Sequence, residues 1–198
     1  MTDLSGRKMQ THCRNNMFRK KEAGFTLVEL AVALAIMTLL MAVAIPSFIQ
    51  GQPRHRLKKA ARDMVSAMQN ARLKAVSENT SYRITFNVGA NTYQITSIGA
   101  DGVWGTADDP AEPAVNLANY GSGIQFGFGN AAADWNNNPL AQRATLTYTN
   151  QGLSDAGSIY ITNQDNQLCY AISTTIAGGK RLRKYNGVLP FNVNNWTD

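Results

Sequence analysis

From Phe25 to Ile49 the chain runs for twenty-five residues with one charge, Glu29. A helix of that length exceeds the roughly 30 Å hydrocarbon core of a bilayer. Inside the run, Leu30 to Ile45 carries no charge and one weakly polar residue, Thr38. Such a segment must be covered by lipid or by protein. A lone carboxylate within it is costly, so a partner for Glu29 is the default expectation.

Charge is distributed unevenly around this run. Six basic and two acidic residues precede Phe25, whereas thirteen basic and eleven acidic residues follow. The net charge of +6 therefore owes much to the N-terminal tail, and the body gives weak grounds for nucleic-acid binding. The run is too long for a typical signal-peptide apolar region, although Ala44 to Ser47 loosely imitate a cleavage site. A plain anchor would explain the run but neither Gly24 nor Glu29. Arg14, Arg19, Lys20 and Lys21 precede it and Arg54, Arg56, Lys58 and Lys59 follow, so loop charge alone leaves orientation close to a tie.

The stretch Gly24-Phe25-Thr26-Leu27-Val28-Glu29, behind a basic leader and ahead of an apolar run, resembles the cleavage and methylation motif of type IV pilins and type II secretion pseudopilins. The resemblance implies a leader at 1–24, cut after Gly24 by a prepilin peptidase on the cytoplasmic side, and an N-methylated Phe25 as the mature terminus. It also implies a role for Glu29 in assembly, facing the terminal amine of a neighbouring subunit. The other reading of Glu29 is a side chain snorkelling to the headgroups. The implied location is the inner membrane, crossed once at 25–49 with a periplasmic C-terminal domain, and later a pilus or pseudopilus. The implied partners are other pilin subunits, the peptidase, an inner-membrane assembly platform and membrane lipid.

Beyond the run, Leu57, Ala60, Ala61, Met64, Met68, Ala71 and Ala75 recur at three- and four-residue spacing, the stripe of an amphipathic helix over 54–77. Pro46 is expected to kink or loosen the helix, with Gly51 and Pro53 as further weak points. The basic cluster Arg54 to Arg62 lies mostly off the stripe and reads as a solvated face near lipid headgroups. From Ser81 the period changes to two. Strands are predicted at 82–86, 92–97, 124–128, 144–149, 158–162, 167–176 and 180–185, with a turn at 88–91. The fold class is α+β: a long helix, 25–79, on an antiparallel sheet domain, 80–198. Gly152, the strand Gly157–Ile161 and the hairpin at Gly178-Gly179 resemble the minor pseudopilin H and minor pilin T/U branch.

No catalytic constellation stands out. His12 and His55 lie in the leader and the basic helix, and phosphate-loop and zinc motifs are missing. Cys13 and Cys169 leave one thiol once a leader is removed, and Cys169 reads as a small buried residue. Asp101, Asp108 and Asp109, with Gly102 and Gly105, form an acidic loop suited to the oxygen preference of calcium. The loop is similar to the calcium loop of the major pseudopilin G, while a simple acidic turn is the competing reading. Lys180, Arg181, Arg183 and Lys184 lie on a predicted strand that places Arg181, Arg183 and Tyr185 on one face. That face could hold phosphates and stack a base. The arrangement is similar to the DNA-contacting glycine-arginine motif of T-like minor pilins, displaced by one residue, and a charged edge strand that discourages aggregation is the alternative. The sequence thus leads to a non-enzymatic minor structural subunit of a type II secretion pseudopilus or type IV pilus, with a DNA-binding minor pilin of DNA uptake as runner-up.

Overall fold

The computed structural model describes residues 24–198, and residues 43–51 by backbone alone. The expected leader, but for Gly24, lies outside the described residues, as do Cys13 and His12. Helix α1 covers Leu27–Ser77. It starts two residues later than expected because Thr26 caps it: its Oγ1 accepts the Glu29 N–H at 3.2 Å and its carbonyl accepts Leu30 N–H at 3.1 Å. A threonine there satisfies one of the donors that every helix start leaves unpaired. The helix ends on Asn79, whose φ of 51° is left-handed. Thr80 N–H then reaches the Ala75 carbonyl and Asn79 N–H the Val76 carbonyl, the paired closure that stops a helix.

The chain divides into two compact units at the Ile45–Pro46 junction. In the first, Leu27, Leu30, Leu34, Leu39 and Met41 are exposed among the described residues. Among the described residues no helix is long and apolar enough to cross a membrane. The expected span 25–49 includes 43–49, whose side chains lie outside the described residues.

In the second unit the helical stripe becomes the floor of the core. Leu57, Ala60, Ala61, Met64, Met68, Ala71 and Ala75 are all at most 1% exposed. The alanines let the strands approach closely. Leu57, Met64 and Met68 supply bulk, each contributing roughly 1.5–3 kcal/mol by burial.

Two antiparallel sheets cover this floor where one was expected. The strands are β1 (Tyr82–Asn87), β2 (Thr92–Ser97), β3 (Val115–Asn116), β4 (Gln125–Phe126), β5 (Thr145–Tyr148), β6 (Gly157–Thr162), β7 (Cys169–Thr174), β8 (Lys180–Tyr185) and β9 (Trp196–Thr197). The first sheet has the order β3-β2-β1-β5 and the second β4-β6-β7-β8-β9. Tyr82, Ile84 and Phe86 of β1 face the helix with Tyr93 and Ile95 of β2, and Ile159, Ile161, Tyr170 and Ile172 join them from the second sheet. The second sheet has a smaller core on its other face, made by Tyr160, Cys169, Ala171, Tyr185 and Trp196. Asn91 ties the sheets together: its carbonyl accepts Leu117 N–H at 2.9 Å and its Oδ1 accepts Phe126 N–H at 3.0 Å.

Two of the expected strands shorten for local reasons. The strand expected at 124–128 shortens to Gln125–Phe126, with Gly129 turning away at φ 58°. That expected at 167–176 trims to Cys169–Thr174, between Asn166 at φ 52° and a turn in which Thr175 N–H meets the Gly179 carbonyl at 3.0 Å. β3 and β9 were not expected, since two residues are too short to display a period.

Candidate functional site

Three places hold the residues singled out by sequence. At the first, Gly24 and Phe25 are exposed, and among the described residues, the chain neighbours of Gly24 aside, no atom stands within 4 Å of where a side chain on Gly24 would begin. Glu29 lies in the first turn of α1, where the partial positive charge of a helix start favours a carboxylate. Its backbone is tied to Thr26, and its side chain is exposed. The ion pairs among the described residues are Lys74–Glu112 and Arg183–Asp198, so Glu29 has none among them.

The second place is the acidic loop between β2 and β3. Asp101, Asp108 and Asp109 each present a carboxylate oxygen within 4.8 Å of the others. That separation is about the span of a calcium coordination sphere, since its oxygens lie 2.3–2.6 Å from the ion. The carboxylates also organise the loop. Asp109 accepts Gly99 N–H and Gly105 N–H, both at 2.7 Å. Asp101 accepts Val103 N–H at 2.8 Å, and Asp108 accepts the Thr106 hydroxyl at 2.6 Å. The Thr106 bond, with backbone N–H bonds, holds the Asp108 carboxyl below the usual carboxylate range. A Cβ at Gly99 would meet the Asp108 carboxylate, which would have to swing aside. The Arg83 guanidinium, 4.1 Å from the Trp104 ring centre, pins the loop to β1. Carboxylates with spare lone pairs on a fixed loop fit a hard cation.

The third place is β8, where the structure divides the expected basic face. Arg181 is exposed and Lys184 half-buried. Arg183 lies 4.1 Å from the Trp135 ring centre and is paired with Asp198 at 3.3 Å. Lys180 turns inward, 5.2 Å from the Tyr148 ring centre, and burial lowers its pKa. Tyr185 contradicts its expected part in base stacking. It is fully buried, packed on Phe191 and Trp196, with its hydroxyl donating to the Val188 carbonyl at 2.9 Å. The unforeseen β9 and the aromatic residues before it cover that part of the face. What remains open is a cleft of about 630 Å³ that includes Trp135, Ser158, Ser173, Arg181 and Arg183. Cys169 is fully buried, and burial pushes its thiol pKa far up.

Sequence reasoning missed Arg72. Its guanidinium donates to the carbonyls of Gly152 at 2.9 Å, Ala177 at 3.1 Å and Gly178 at 3.3 Å. The available signal was a basic residue beside the apolar stripe together with two loop glycines, both at φ 75°.

Residues 60–178 match the family described as type II transport protein GspH, and residues 19–45 match the prokaryotic N-terminal methylation motif. The chain belongs to the GspH family. This GspH-family chain is accordingly of the pilin and pseudopilin kind. It is 36% identical over 69 residues to the type IV major pilin PilA of Myxococcus xanthus, 35% of this chain and 31% of that protein. The chain therefore spans about a third of the length of that curated relative. Solved structures similar to it include the minor pseudopilin EpsH of Vibrio cholerae, at 16% identity and TM-score 0.48, covering 64% of this chain and 95% of that one. The type IV minor pilin FimU of Pseudomonas aeruginosa is similar at 16% identity and TM-score 0.46, covering 65% and 89%.

Proposed function

We propose that this GspH-family chain is a minor, non-catalytic structural subunit of a type II secretion pseudopilus or type IV pilus, assembled through α1. Residues 1–24 are a leader that prepilin peptidase removes by hydrolysing the Gly24–Phe25 bond, and Phe25 is then N-methylated. Residues 25–49 cross the inner membrane once, residues 54–77 are the amphipathic continuation, and 80–198 form a periplasmic domain. The observation that carries this reading is an exposed apolar helix, directly after an open Gly24–Phe25 bond, with Glu29 in its first turn and no ion partner among the described residues. An uncovered apolar surface of this length calls for lipid in the precursor and for neighbouring helices in a filament. Glu29 would meet the amine of Phe25 in a neighbouring subunit, where exclusion of water strengthens the attraction. Asp101, Asp108 and Asp109 would supply carboxylate oxygens to calcium and so rigidify the loop.

Mass spectrometry of the protein from its native host tests the processing. A mature chain starting at a methylated Phe25 is expected, and Gly24→Ala should retain the leader. An intact wild-type leader, or a cut near Ser47, would overturn the reading.

DNA capture is a second reading, favoured by Arg181 standing exposed at the β8 cleft. Lys180, Arg183 and Lys184 would add charge, but Arg183 and Lys180 are already engaged. Duplex retention that falls steeply with salt and disappears in Arg181→Ala/Arg183→Ala would support it. No retention near 50 mM salt, a level at which phosphate contacts are strong, would end it.

A further inference from the structure

The first exposed turns of the second unit carry Arg54, His55, Arg56, Lys58, Lys59 and Arg62, every one exposed. At about 100° per residue they fan over roughly 200° of the helix, the whole arc opposite Leu57, Ala60, Ala61 and Met64. The acidic residue nearest in sequence, Asp63, comes at the end of the cluster. None of the six belongs to an ion pair among the described residues. The contacts they do make are weak restraints: Arg56 donates to Gln52 at 2.8 Å and Lys59 Nζ lies 6.0 Å from the Tyr120 ring centre. Five Lys and Arg side chains therefore share this arc with no ion partner among the described residues.

Chain distance identifies what faces it. Arg54 is five residues past Ile49. Five residues reach about 8 Å as helix and at most about 18 Å fully extended. The headgroup layer outside the hydrocarbon core is about 5–7 Å thick. With 25–49 in the bilayer, as proposed above, chain length alone keeps Arg54 within about 18 Å of the hydrocarbon edge, and Arg56 and Lys58 follow two and four residues later.

We propose that residues 54–62 form a collar that binds anionic phospholipid headgroups on the side of the membrane where the folded domain lies. Each cation near an anionic surface strengthens binding by about fivefold. The collar holds the mature subunit at the bilayer surface after the leader's own cations have gone, and its contacts must break when the subunit moves into a filament.

The test uses the full chain in a mild non-ionic detergent, offered equal amounts of phosphatidylglycerol and phosphatidylcholine, with retained lipid read by native mass spectrometry. Wild type should retain phosphatidylglycerol at least about tenfold over phosphatidylcholine. The quadruple variant Arg54→Gln/Arg56→Gln/Lys58→Gln/Lys59→Gln, which keeps good helix formers on an exposed arc, should fall to near equality. Arg181→Gln/Lys184→Gln, remote and also cationic, should keep the preference. Raising salt from 50 to 300 mM should weaken it in wild type even if the quadruple variant folds poorly. Equal retention by wild type, as an acidic neighbouring subunit as the collar's partner would give, overturns the collar. So does a preference that survives salt or the quadruple change, or one that disappears with Arg181 and Lys184. Carbonate-resistant incorporation into pure phosphatidylcholine vesicles tests the anchor separately. Loss of incorporation there defeats the span at 25–49, whereas incorporation without lipid preference defeats only the collar.

Discussion

Arg72 offers the sharpest test of how the second unit holds together. Its guanidinium ends at three carbonyls from two loops, one after β5 and one between β7 and β8. Gly152 and Gly178 are buried, whereas Ala177 is exposed. In Arg72→Met water can replace the donor at Ala177, but the two buried carbonyls lose theirs. Each buried acceptor left unpaired costs about 1–3 kcal/mol, so the variant should lose roughly 2–6 kcal/mol. For a unit of about 150 residues that lowers the melting temperature by about 4–24 °C. Arg72→Lys carries a single ammonium in place of a fork and should recover only part of the loss. Urea unfolding followed by circular dichroism, on a fragment beginning at Pro53 that keeps all seven buried helix residues, measures this directly. A loss below about 0.5 kcal/mol for Arg72→Met would refute the clamp, because that is the range of an ordinary surface change.

Glu29→Ala should enter the membrane at least as readily as wild type, since a charge is removed from an apolar run, yet appear in filaments at strongly reduced levels. Normal incorporation, measured by immunoblot of sheared filaments, would defeat the intersubunit ion pair. If the acidic loop holds calcium, the melting temperature of the second unit should rise with calcium concentration, and Asp101→Ala or Asp108→Ala should abolish the rise. Indifference of the wild type to millimolar calcium leaves an acidic turn. The Tyr148 hydroxyl is buried without a hydrogen-bond partner, so Tyr148→Phe should stabilise the unit by about 1 kcal/mol, and a destabilised variant would reveal a partner for that hydroxyl.

The sequence made the helix stripe and the long strands legible because burial there follows a clean period. Each residue of the stripe from Leu57 to Ala75 is covered, and β1, β2 and β8 span six residues each. The division into two sheets was not legible, since it depends on which strands pair across long loops. The fate of Tyr185 was hidden for a similar reason. Alternation put it on the face of Arg181 and Arg183, but β9 and Phe191, remote signals of little periodicity, decide which part of that face stays open. At the acidic loop, composition revealed the three carboxylates and not their occupation by backbone N–H groups, which depends on the loop's turns.

The stripe on α1 is synthesised first and covered last. Residues 57–75 precede β7 and β8 by roughly a hundred positions, a wait of about 5–20 s at ordinary rates of translation. During that interval the stripe has only the first sheet to rest against, and the part that Ile159, Ile161, Tyr170 and Ile172 will cover stays open. Docking of the second sheet is therefore a late event made of long-range contacts, which is intrinsically slow. Any pause in synthesis between β5 and β7 extends the time that part of the stripe is exposed.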